Sequence, residues 1–231
     1  MGNVIYLADR RAQRAAAPPP QRPTFFFDIS SPLSYLMAER IERRLGEVDW
    51  VAVDGGRLRC LADRPTAGAT SRSDLRPGGE RAEGQGLRAR AEACARALRL
   101  PLVWPDRFPG SAPCALRACA FACELGAGGA FALAASRLAF CGGFDLEDPE
   151  TLAEAAAAAG IPLDECLAAA GEAWRDEELE DAARQLAVHG VGELPVIRVG
   201  ERWLAGESGL LAAEALLNEP GLRRRSLAPP V

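Results

Sequence analysis

The order of strand-like and helix-like segments constrains this chain more than any other feature. Short β-branched or aromatic runs occur near the two ends, and the long stretch between them reads as helix. Phe25-Phe26-Phe27-Asp28-Ile29 is an apolar, aromatic run of the kind that forms a buried strand. In Ser30-Ser31-Pro32, a serine can cap a helix and the proline suits its first turn. Leu33, Leu36, Met37, Ile41 and Leu45 then recur at helical spacing until Gly46 stops the helix. Val48 to Val53 is β-rich and reads as a second strand. The chain therefore opens β-α-β, with the helix as crossover.

Residues 55 to about 85 are rich in Gly, Arg, Asp and Pro and are expected to form a long loop. Helices are expected over Leu87 to Leu98, Ala115 to Leu125, Ala130 to Phe140, Pro149 to Ala159, Pro162 to Ala170 and Asp176 to His189, with a proline-punctuated connector over Pro101 to Pro113. Asp148-Pro149-Glu150 and Pro162-Leu163-Asp164-Glu165 place acid in a first turn, where the helix dipole favours it. Leu194 to Val199 reads as a strand, Gly200-Glu201 as a two-residue hairpin turn and Arg202 to Ala205 as its partner strand. A last helix is expected from Ser208 to Leu217. The whole order is β-α-β, a helical block, then β-β-α, which is a thioredoxin-like α/β fold interrupted by an inserted helical domain. The expected division is a thioredoxin-like domain from 23–60 and 186–218, a loop plus helical insertion over 61–185, and disordered tails over 1–22 and 219–231.

Composition removes several function classes. The net charge of −5 implies no broad basic surface, so nucleic acid is not an expected partner. All 27 residues counted as lysine or arginine are arginine, so no lysine can act as base, Schiff-base former or phosphate ligand. No apolar stretch approaches the roughly 20 residues needed to span a bilayer. Residues 1–22 lack the apolar core of a signal peptide, and a cytoplasmic location is expected. The seven cysteines include no CxxC pair and sit among alanines and leucines, as small apolar core residues do. With one histidine, His189, remote from them in sequence, no metal site is expected.

Phe26-Phe27-Asp28-Ile29-Ser30-Ser31-Pro32-Leu33-Ser34-Tyr35-Leu36 resembles the opening of the DsbA-like family. Within that family it is most similar to the branch of 2-hydroxychromene-2-carboxylate isomerases and kappa-class glutathione transferases. Gly190-Val191-Gly192-Glu193-Leu194-Pro195 resembles the segment before the family's cis-proline strand. Trp104 to Pro109, followed by Leu116-Arg117-Ala118, is similar to the branch's connector into its helical domain. The resemblance spans roughly residues 24 to 217.

A residue between a strand end and a helix N-terminus faces unpaired backbone amides and the positive end of the helix dipole, so an anion there is stabilised. Ser31 and Ser34 occupy the two positions that are cysteine in redox members of the family, and serine cannot exchange disulfides. The resemblance implies instead that Ser31 holds the thiolate of bound glutathione, that Pro195 is cis and that Leu194 offers its backbone to the peptide. A reading from the residues alone makes Ser31 a helix cap. Glu207-Ser208 stands where the branch clamps the γ-glutamyl end, usually with Ser-Asp. The branch's loop lysine is absent, leaving Arg57 or Arg59 as the expected contact for a substrate carboxylate, and Ser111 stands in place of its asparagine.

By resemblance, the function is glutathione-dependent isomerisation or transfer on a small aromatic substrate bearing a carboxylate. The glutathione thiolate would add reversibly, let a ring-opened intermediate rotate, and leave. The branch often forms dimers, so the resemblance allows a homodimer. A different reading is a DsbA-like scaffold without redox activity that binds a peptide or small molecule along the cis-proline strand. A third is redox work by a non-motif cysteine such as Cys114.

Overall fold

The structure, a computed structural model, describes residues 22–63 and 79–218. The expected tails, Arg22 apart, and the middle of the loop expected over 55–85 lie outside the described residues. Four strands form one sheet: β1 (Thr24–Phe27), β2 (Asp49–Ala52), β3 (Val196–Val199) and β4 (Arg202–Ala205), in the order β2-β1-β3-β4. β1 runs parallel to β2 and antiparallel to β3, and β3 and β4 form an antiparallel hairpin across the Gly200-Glu201 turn.

The three phenylalanines explain why β1 is central. Side chains alternate between faces along a strand. Phe25 and Phe27 join the large core on one face, Phe26 joins a smaller core on the other, and all three are buried. A strand covered on both faces reads as a continuous apolar run rather than an alternating one. Trp50 of β2 meets Phe25 and Phe27 edge-on, at ring-centroid distances of 5.0 and 5.4 Å.

The crossover helix α1 (Pro32–Leu45) begins at the Ser31 cap with Pro32 in its first turn. It ends at Gly46, whose φ of +79° lies in a region that favours glycine. Its buried face carries Tyr35, Leu36, Met37 and Ile41, packed on the Phe25/Phe27 side of the sheet.

The loop expected from residue 55 is not a loop at its start. Residues Gly55–Ala62 form helix α2, capped by Asp54, whose carboxylate accepts the Arg57 N–H at 2.9 Å. The helix is eight residues long and amphipathic only through Leu58 and Leu61, so its stability comes from packing rather than propensity. Leu58 is fully buried with Phe26, Val53, Ala183 and Leu186. The next helix, α3 (Gly79–Leu98), also starts earlier than the sequence suggests.

The remaining helices are α4 (Pro113–Glu124), α5 (Gly128–Gly142), α6 (Pro149–Ala159), α7 (Leu163–Gly171), α8 (Arg175–Val188) and α9 (Gly206–Asn218). Phe131, Phe140, Leu152, Ala155 and Cys166 extend the large core through α5, α6 and α7. α8 packs against α2 and covers the second face of the sheet through Ala183 and Leu186. Ala112 at the start of α4 cannot cap; Glu147 does so instead, accepting the Cys114 amide at 2.9 Å. α3 is fastened to the connector by Arg88, whose guanidinium lies over Trp104 and Phe108 and donates to the Phe108 carbonyl at 2.7 Å.

Candidate functional site

The C-terminal end of β1 and the N-terminus of α1 are locked by a small polar cluster. Asp28 is buried, and its carboxylate accepts hydrogen bonds from the Ser30 amide at 2.8 Å, the Ser30 hydroxyl at 2.6 Å and the Gly55 amide at 3.0 Å. Burial pushes this carboxyl above the ordinary aspartate range, with the bonds from Ser30 and Gly55 opposing the shift. Ser34 is buried too, and its Oγ accepts the Asp28 amide at 3.2 Å, tying the first turn of α1 back to the strand. The second serine of the motif is thus occupied by the fold.

Ser31 is placed differently. Its Oγ accepts the Ser34 amide at 3.4 Å, the N-cap bond, and that bond uses the oxygen as acceptor. A hydroxyl carries one proton as well as two lone pairs, so capping leaves the Ser31 O–H free to donate. Capping the helix and steadying an anion are therefore compatible roles for this side chain.

Beside this helix start lies a groove of about 550 Å³. Leu33, Leu36 and Met37 of α1 and Ala93 and Cys94 of α3 supply apolar walls, and Leu194-Pro195 and the start of α9 close it. The Leu194–Pro195 bond is cis, and the Pro195 carbonyl accepts the Gly206 amide at 3.0 Å. Leu194 precedes β3, and no other described residue pairs with its backbone N–H or C=O. An extended ligand can use both groups, as in strand addition.

The groove gathers Leu194, Pro195, Glu207 and Ser208 from the sequence-based site. Ser31 stands just before its wall residue Leu33 without lining it. Glu207 is not free: Arg40 of α1 grips its carboxylate through both terminal nitrogens, one contact at 2.9 Å. That bond to Arg40 holds Glu207 below the usual glutamate range. Arg57 and Arg59 are exposed on α2 and do not line the groove, and Arg57 is paired with Glu180 of α8 at 3.0 Å. Ser111 is exposed between the cis Phe108–Pro109 bond and α4, also apart from the groove lining. The cation that does line the groove is Arg90, which sequence reasoning missed because it is one of several arginines in an ordinary helical stretch.

Cys94 faces the groove, but burial and then the nearby Glu207 push its thiol up, away from reactivity. Cys114 is pushed up by burial and Glu147, which argues against a reactive thiolate there. Cys119 and Cys166 are buried, as the sequence suggests, whereas Cys60 is exposed. Among the described residues no helix is long and apolar enough to cross a membrane, and no group of His, Cys, Asp or Glu is placed to hold a metal ion.

Comparison with known proteins gives a consistent picture. The family model of the DSBA-like thioredoxin domain matches residues 24–215. Among solved structures, a 2-hydroxychromene-2-carboxylate isomerase superposes with a TM-score of 0.70 at 15% identity, covering 90% of this chain and 100% of that one. A probable DsbA oxidoreductase from Streptomyces coelicolor superposes with a TM-score of 0.64 at 21% identity, covering 91% of this chain and 92% of that one. At these identities the likeness is one of fold. No curated protein matches the chain.

Proposed function

We propose a function from a fixed premise, that the chain belongs to the DSBA-like thioredoxin family: it binds glutathione in the groove and acts as an isomerase or transferase on a small aromatic carboxylate. The observation that carries this reading is the placement of Ser31. It caps α1 through its oxygen, keeps its proton available and stands where the helix dipole favours an anion. Serine in both motif positions, Ser31 and Ser34, removes disulfide exchange there and leaves thiolate binding as the chemistry the motif retains.

Bound glutathione would supply the thiolate that adds to the substrate and leaves again. Ser31 would donate a hydrogen bond to that sulfur. Leu194 would pair with the peptide backbone through its N–H and C=O, and Ser208 would offer its hydroxyl to the γ-glutamyl end. The apolar walls from Leu33, Leu36 and Met37 suit an aromatic substrate and exclude water from it. Calorimetric titration with reduced glutathione tests the reading. Saturable binding that is lost or strongly weakened in Ser31→Ala supports it, and no binding up to millimolar glutathione contradicts it.

The hold of Arg40 on Glu207 favours a second reading, a scaffold without redox activity that binds extended peptides along Leu194-Pro195. A glutamate already satisfied by an arginine is a poorer clamp for an ammonium group. Binding of an unfolded peptide with no requirement for glutathione distinguishes this reading from the enzymatic one.

A further inference from the structure

The two charged rims of the groove differ in how firmly they are held. At the α9 rim, Glu207 is fixed by two contacts from Arg40, whose side chain is only 12% exposed. At the α3 rim, Arg90 Nη2 faces Glu193 Oε2 at 3.5 Å, with the side chains 62% and 71% exposed. Charge-assisted hydrogen bonds close to roughly 2.7–2.9 Å. A longer contact between two exposed, flexible side chains adds little and is readily exchanged. Arg90 is also the only cation among the residues lining the groove, counted over the described chain. Ala93 and Cys94 follow it at i+3 and i+4, so the three share the α3 face that borders the groove.

We propose that Arg90 is the carboxylate-binding residue of the groove, and that an arriving ligand carboxylate displaces Glu193 from it. The inference rests on the glutathione reading and sharpens it: the ligand is a peptide-like thiol with a free C-terminal carboxylate. Glu193 adjoins Leu194, so a chain paired to the Leu194 backbone lies beside the Arg90–Glu193 contact. Guanidinium suits this task because its planar fork meets a carboxylate with two parallel bonds. Glu193 keeps the cation paired when the groove holds no ligand and swings into solvent when it does. Arg90 thus serves the carboxylate of glutathione, a task separate from the substrate carboxylate for which the family resemblance implies Arg57 or Arg59.

The test is calorimetry with reduced glutathione and with its glycyl monoethyl ester, on the full chain and on Arg90→Gln and Glu193→Gln. Arg90→Gln is expected to weaken glutathione binding roughly tenfold, the scale of one charge-assisted hydrogen bond. The ester should bind the unaltered protein with a similar loss, and should lose nothing further in Arg90→Gln. Glu193→Gln should bind glutathione more tightly, because the competing anion is gone. Equal binding of glutathione by the unaltered protein and Arg90→Gln, or of ester and acid by the unaltered protein, overturns the role of Arg90 alone. Absence of saturable binding to every variant overturns the glutathione reading together with it.

Discussion

The Oδ2 of Asp28 accepts the Gly55 amide at 3.0 Å, and a methyl group on Gly55 would lie 2.7 Å from that same oxygen. This pair joins the loop that carries Ser31 to the start of α2, and it leaves no room for a side chain at position 55. Gly55→Ala is therefore expected to destabilise the protein by about 1–3 kcal/mol, the range for overpacking a filled site. At an unconstrained helical position the same change usually stabilises, so the sign is informative. Urea unfolding measures it, and unchanged or raised stability would contradict the packing described at Asp28.

Asp28 also makes a pH prediction. Its folded-state pKa is raised above 3.8 by burial, so in the window above that value the folded state holds the proton more tightly than the unfolded state. Its contribution to stability is fully present below the unfolded value and is lost as pH rises through the folded one. Stability of the unaltered protein minus that of Asp28→Asn should therefore fall as pH rises above the ordinary aspartate value of about 4. Subtracting the variant cancels the other carboxylates. A difference that rises with pH would mean that the hydrogen bonds from Ser30 and Gly55 outweigh burial.

The Arg40–Glu207 pair links α1 to α9 and has the opposite sign. Glu207 is held below 4.5, so its contribution is present above that value and is lost as pH falls through its folded pKa. Glu207 is 45% exposed, and solvent screening limits such a pair to about 1 kcal/mol or less. A double-mutant cycle of Arg40→Met and Glu207→Gln should give a favourable coupling of that size at neutral pH, shrinking in acid. A coupling that survives unchanged in acid would contradict an ionic link.

Much of this arrangement is legible in the sequence because local signals agree there. The apolar run at Phe25–Phe27, the Ser31-Pro32 start, the Gly46 stop and the Gly200-Glu201 turn all mark the elements that the structure contains. α2 is hidden because paired glycines and arginines mask it, and its order comes from Asp54 and from Leu58 packing against α8. The groove is partly legible through the family resemblance, which points to Leu194, Pro195, Glu207 and Ser208, and all four line it. Arg57 and Arg59 come from the resemblance to the branch's loop lysine; in the structure both are exposed on α2, and Arg57 pairs with Glu180. Arg90 becomes visible only when α3 is folded across from Leu194, a tertiary placement without a local signature.

The most direct test of the central claim, that Ser31 steadies a glutathione thiolate, is the ultraviolet thiolate absorbance of bound glutathione followed against pH. Protein alone is subtracted to remove its own cysteines. The account predicts that bound glutathione ionises at lower pH than free glutathione, and that Ser31→Ala removes most of this shift while α1 stays folded. Bound glutathione that ionises like the free thiol, or a shift unchanged in Ser31→Ala, would contradict it.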